Sequence, residues 1–111
     1  MLALLVWPRP PARRRRAALE LNGRLFPLDR EITTVGSIDG NNIVVSDPAV
    51  AKKHFAIRRV PNDPNGYELC DLGSQNGVLV NGQRLAKRLL SSGDTIRLGA
   101  AEMVFRIEKV G

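Results

Sequence analysis

Cys70 and His54 are the one cysteine and the one histidine among 111 residues, and they make the only pair here that could act as nucleophile and base. Such a pair needs hydrogen-bond reach and a third group to orient the base. Cys70 lies between Leu69 and Asp71 in an apolar stretch, which reads as a small half-buried hydrophobe, and His54 opens a strand and reads as structural. A nucleotide loop would need a glycine-rich turn leading into a helix with a Lys-Ser or Lys-Thr pair, and neither is present. One cysteine and one histidine are too few for a zinc site of the usual kind and exclude an internal disulfide framework. The expectations are therefore no catalytic residues, no metal, no cofactor, and a reducing cytoplasmic setting.

What remains are polar, glycine-rich stretches that could contact a partner: Gly36–Asn42, Ser46–Lys53 and Gly73–Gly77. Loops gathered at one end of a rigid scaffold are common sites of binding. Their positioning falls to short apolar runs broken by turn residues every eight to twelve positions, a pattern that predicts an antiparallel sandwich and no helix. Strands are expected at Ala17–Leu21 and Leu25–Leu28 around an Asn22-Gly23 turn, then near Glu31–Val35, Ile43–Val45 and His54–Val60. After the turn Pro61-Asn62-Asp63-Pro64-Asn65-Gly66, Tyr67–Leu72 should return antiparallel. Further strands are expected at Val78–Val80, Gln83–Leu85, Thr95–Leu98 and Met103–Lys109. The fold class is all-β, two antiparallel sheets of about ten or eleven short strands with the binding loops at one end.

Size and charge narrow the rest. A mass of 12.2 kDa allows one domain, and 43% hydrophobic with 25% charged residues describes a chain that buries a modest core. The net charge of +6 is local: Arg9 and Arg13–Arg16 hold five of seventeen basic residues, leaving twelve against eleven acids. The expected division is therefore a basic, Pro- and Arg-rich tail over 1–16, without order of its own, and a nearly neutral domain over 17–111. The apolar run of the tail is too short to span a bilayer and lacks the charge placement of a signal peptide. An apolar stub followed by arginines does resemble the cytoplasmic exit of a membrane helix, so contact with an inner membrane face is expected only through this tail. Nucleic-acid binding would rest on the same arginines, with no specificity.

The loop residues also carry a family resemblance. The order Thr34-Val35-Gly36-Ser37, Asn41-Asn42-Ile43, Asp47 to His54, Asp71-Leu72-Gly73-Ser74-Gln75-Asn76-Gly77, Val80-Asn81-Gly82, Gly93-Asp94 and Leu98-Gly99 resembles a forkhead-associated (FHA) domain from about Leu19 to Glu108. The resemblance implies an eleven-stranded sandwich that binds phosphothreonine peptides through its apical loops, without catalysis or metal.

It also implies roles, and departures from them. The residue after Gly36 is an arginine gripping phosphate in typical members, and here it is Ser37. The family's Ser-x-x-His falls on Ala51-Lys52-Lys53-His54, so Ala51 replaces the phosphate-binding serine and offers only its backbone amide. His54 and Gly77 support the loops, Asn76 orients the peptide backbone, Asn81 is a second polar site, and Val78 stands where a threonine is expected. Lys52 occupies a position often basic in the family, with Lys53 beside it. Partner-contacting residues are accordingly expected among Ser37, Ala51, Lys52, Ser74, Asn76 and Asn81, on a frame of Gly36, His54 and Gly77. Two readings stay open: a protein-interaction module whose phosphothreonine dependence is weakened, or a true phosphothreonine reader rescued by Lys52, Ser46 or Ser74.

Overall fold

A computed structural model describes residues 14–63 and 66–110. The tail over 1–13, Pro64 and Asn65 of the expected turn, and Gly111 lie outside the described residues. Eleven strands follow in order: β1 (Arg14–Leu21), β2 (Arg24–Pro27), β3 (Ile32–Gly36), β4 (Ile43–Val44), β5 (Phe55–Arg59), β6 (Tyr67–Asp71), β7 (Leu79–Val80), β8 (Gln83–Arg84), β9 (Lys87–Leu89), β10 (Thr95–Leu98) and β11 (Ala101–Val110). Six form one sheet, in the order β2-β1-β11-β10-β7-β8, and five the other, in the order β4-β3-β5-β6-β9.

The all-β sandwich is as the spacing of turn residues predicts. The first hairpin turns at Asn22 and Gly23 with φ of 53° and 80°, the two positive angles that a tight hairpin turn requires. β5 and β6 pair antiparallel from Phe55↔Asp71 to Arg59↔Tyr67. Three details differ from expectation. β1 starts at Arg14, so the last three arginines of the basic run pair in register with Val110, Lys109 and Glu108 of β11. β4 pairs parallel to β3, Val35↔Ile43 and Gly36↔Val44, making that sheet mixed. β9 joins the sheet edge beside β6, at a stretch not expected to be a strand.

Alternation of side chains across each strand fills the space between the sheets. Leu19, Val35, Phe55, Leu69, Val80, Ile96, Met103 and Phe105 are fully buried, and the Tyr67 and Phe105 rings meet at 5.6 Å with a 57° tilt. Each such side chain stabilises the fold by about 1.5–3 kcal/mol relative to exposure. Thr33 is an exception within this core: it is buried and its hydroxyl has no hydrogen-bond partner among the described residues. An unpaired buried hydroxyl costs about 1–3 kcal/mol, so Thr33→Val, nearly identical in shape, is expected to raise stability by about 1 kcal/mol. Urea denaturation checks this, and a loss of stability would show that the hydroxyl has a partner in solution.

Candidate functional site

Three connections converge at one end of the sandwich: 37–42 between β3 and β4, 45–54 between β4 and β5, and 72–78 between β6 and β7. Gly36 allows the first two to touch. A side chain there would place its first carbon 2.0 Å from Lys52 O and 2.7 Å from Asn41 Nδ2, so any larger residue forces the loops apart. Across this contact Ser37 N–H donates to Ala51 O at 3.0 Å, and Val45 N–H donates to Gly36 O at 2.8 Å. Asn41 completes the seam, its amide donating to Ile38 O and Lys52 O, each at 2.8 Å.

His54 joins the second loop to the third. It is fully buried; its Nδ1 accepts the Ala51 N–H at 3.0 Å, which leaves the ring proton on Nε2 to donate to Gly77 O at 2.8 Å. One imidazole thus satisfies a backbone donor and a backbone acceptor on two loops, and neither nitrogen is free for proton transfer. Burial pushes the Cys70 thiol above its ordinary range, with Glu68 adding to the rise, so it is a poor thiolate. The two residues form no nucleophile–base pair.

The third loop is built on Asp71. Its Oδ1 accepts the Ser74 N–H at 3.1 Å and the Ser74 hydroxyl at 2.7 Å, and the Ser74 Oγ accepts the Gly77 N–H at 3.0 Å. Ser74 is buried and therefore sits under the loop, holding its curve. Asn76 is exposed; its amide nitrogen donates to Ala49 O at 2.9 Å, which leaves its carbonyl oxygen to meet a partner. A second anchor for the middle loop is Asp47, whose carboxylate accepts N–H groups of Ala49 at 2.8 Å and Ala100 at 3.1 Å. These two donors, Ala49 first, hold its carboxyl below the usual carboxylate range.

The structure therefore brings Ser37, Ala51, Lys52 and Asn76 together, over a frame of Gly36, His54 and Gly77. Asn81 stands apart from them. At φ 51° in the β7–β8 turn, it donates to Asp94 Oδ1 at 2.9 Å and accepts the Thr95 N–H at 2.9 Å, bracing that turn against the start of β10. Ala51 differs in detail from expectation, because its backbone amide is taken by His54. Lys52 and Lys53 are exposed, in no ion pair among the described residues, and no hydrogen bond engages the Lys52 N–H among them.

Four contributors escape the sequence. Asn41, Asp47 and Asp71 stand in the motifs without an evident task, although Asp47-Pro48 is a turn signal. Arg84 reaches the third loop from β8, and nothing in its local sequence announces that.

A sandwich with paired sheets and this loop frame is a peptide-binding architecture of the FHA kind, and the comparisons agree. The sequence pattern of the FHA domain matches residues 33–99. The oxoglutarate dehydrogenase inhibitor of Corynebacterium diphtheriae is 36% identical over 83 residues, 75% of this chain and 56% of the inhibitor. Among solved structures, an FHA domain studied for phosphothreonine-dependent interactions superposes with a TM-score of 0.78 at 28% identity, covering 86% of this chain and 99% of that one. Mycobacterium tuberculosis EmbR, solved with a low-affinity phosphopeptide, gives 0.77 at 32% identity, over 86% of this chain and 25% of EmbR.

The chain belongs to the FHA domain family. It is a non-catalytic protein-interaction module, and it spans about half the length of the curated relative it matches.

Proposed function

We infer that the three loops recognise a peptide segment of a protein partner with little dependence on phosphothreonine. The observation that carries this reading is the state of the two family ligands. Ser37 supplies no guanidinium, and Ala51 supplies no hydroxyl while its amide is already bound by His54. A charge-assisted hydrogen bond contributes about 1.5–3 kcal/mol and a neutral one about 1 kcal/mol. Losing both weakens a micromolar phosphopeptide complex to about millimolar.

A second reading has its own support: exposed Lys52 with a free backbone N–H beside it could hold phosphate as a point charge, without the planar fork of arginine. The similarity to the dehydrogenase inhibitor and to EmbR favours a regulatory role by protein contact under either reading. Placement in the cytoplasm is part of the same proposal; among the described residues no helix is long and apolar enough to cross a membrane. So too are a basic tail flanking the domain and membrane contact through it.

Matched peptide libraries with and without phosphate, titrated against the full chain, separate the two readings. Less than about a tenfold preference for phosphothreonine, 1.4 kcal/mol, is expected; a larger one would establish the phosphate-reading alternative.

A further inference from the structure

Arg84 is the guanidinium that the recognition face does have. It lies on β8 and crosses to the β6–β7 loop, where a side-chain carbon at Gly77 would come within 2.3 Å of its Nε. Its Nη2 donates to Gln75 O at 3.3 Å, so its head group rests against the loop that presents exposed Asn76. Four other arginines are engaged: Arg58 pairs with Glu68, Arg88 with Asp94 and Arg106 with Glu20, while Arg24 lies over the Phe26 ring at 4.7 Å. Arg84 has no carboxylate partner among the described residues. One carbonyl uses one of its five N–H donors, leaving the paired donors that match a carboxylate or phosphate.

Gly77 pins its location. The Gly77 carbonyl is held by His54, which is held in turn by Ala51, while Arg84 lies against the α-carbon of the same glycine. The glycine at 77 has φ 75° and leaves the space that the arginine side chain fills. No other residue type could occupy position 77 with Arg84 in this place.

We propose that Arg84 is an anion-binding residue of this face, so that the peptide it takes carries an acidic group, carboxylate or phosphate, over Gly77 and not over Ser37. This rests on the reading that the Ser37 and Ala51 position no longer dominates binding.

The test is an NMR titration of the isotope-labelled full chain with three five-residue alanine peptides whose central residue is aspartate, phosphothreonine or asparagine. With both anionic peptides the Arg84 Nε–H and the Gln75 to Gly77 amides should shift, and the aspartate peptide should bind about tenfold more tightly than the asparagine one, as one charge-assisted hydrogen bond provides. Arg84→Gln should bring that ratio to about one, and Arg84→Lys should restore part of it. A loop-bracing role alone would weaken all three peptides equally and leave the ratio unchanged in Arg84→Gln, which overturns the proposal. Equal shifts with charged and neutral peptides, or none at all, also overturn it while the phosphate-independent reading stands. Shifts centred on Ser37 to Lys53 with Arg84 silent refute it, and a phosphothreonine preference above about tenfold (1.4 kcal/mol) there refutes the earlier reading as well. The same preference centred on Arg84 would refute only the earlier one.

Discussion

Ser37→Arg combined with Ala51→Ser is expected to tighten binding of a phosphothreonine peptide by about fifty- to five-hundredfold, the equivalent of roughly 2.5–4 kcal/mol. The frame that would use these groups is intact: Ser37 N–H is tied to Ala51 O and Asn41 fixes Lys52 O, so the substituted side chains enter loops already held in place. Neither position is in the core, Ser37 and Ala51 both being half-buried, and the fold should tolerate the change. Ser37→Arg alone should give about ten- to a hundredfold and Ala51→Ser about fivefold, following the strengths of charged and neutral hydrogen bonds. Isothermal titration with phosphorylated and unphosphorylated versions of one peptide reads the difference. A gain below about threefold (0.6 kcal/mol) for the double variant would mean that the loops are not arranged to cradle phosphate at all.

His54→Ala should cost about 3–5 kcal/mol of stability, the largest loss of any polar residue at this end of the molecule. The substitution strands the Ala51 N–H and the Gly77 carbonyl, two backbone groups that now meet the imidazole at 3.0 and 2.8 Å. Each unsatisfied buried group costs about 1–3 kcal/mol, and the emptied volume adds to it. For a domain of this size the melting temperature should fall by about 15 °C or more. Thermal denaturation followed by circular dichroism gives the number, and a drop under about 5 °C would show that water replaces both contacts. Peptide binding should disappear with it, since the second and third loops lose their shared support.

Much of this architecture can be read before any coordinates. The eight-to-twelve residue spacing of turn signals and alternating apolar residues such as Leu19 and Leu21, or Phe55 and Ile57, specify a sandwich because the side-chain period of a strand is fixed. Lys87–Leu89 escaped for a physical reason: an edge strand pairs on one side only, so its residues are not selected by burial, and its register with Glu68 to Cys70 comes from backbone hydrogen bonds. The parallel β3–β4 contact involves two residue pairs, too few to leave a pattern. At the site, Gly36, His54 and Asn76 announce themselves by motif. What the motif hides is commitment. Ser74, Asn81 and the Ala51 amide are polar groups that sequence cannot tell apart from free ones, yet each is consumed by a specific neighbour, Asp71, Asp94 and His54. Arg84 is the converse, an unremarkable residue in sequence that long-range geometry carries to the loop.

The pairing of Arg14 with Val110 and of Leu21 with Met103 sets where the described ends of the polypeptide leave the body. They emerge side by side, about 23 Å along the strand pair from the β1–β2 turn at about 3.3 Å per residue. The 45–54 loop is instead fastened to Ala100, at the start of β11 and thus at the opposite pole. Immobilisation on a sensor surface, or fusion to a second polypeptide, through either end therefore leaves the recognition loops turned toward solvent, and a pair of neighbours attached at both ends would be held shoulder to shoulder without obstructing them.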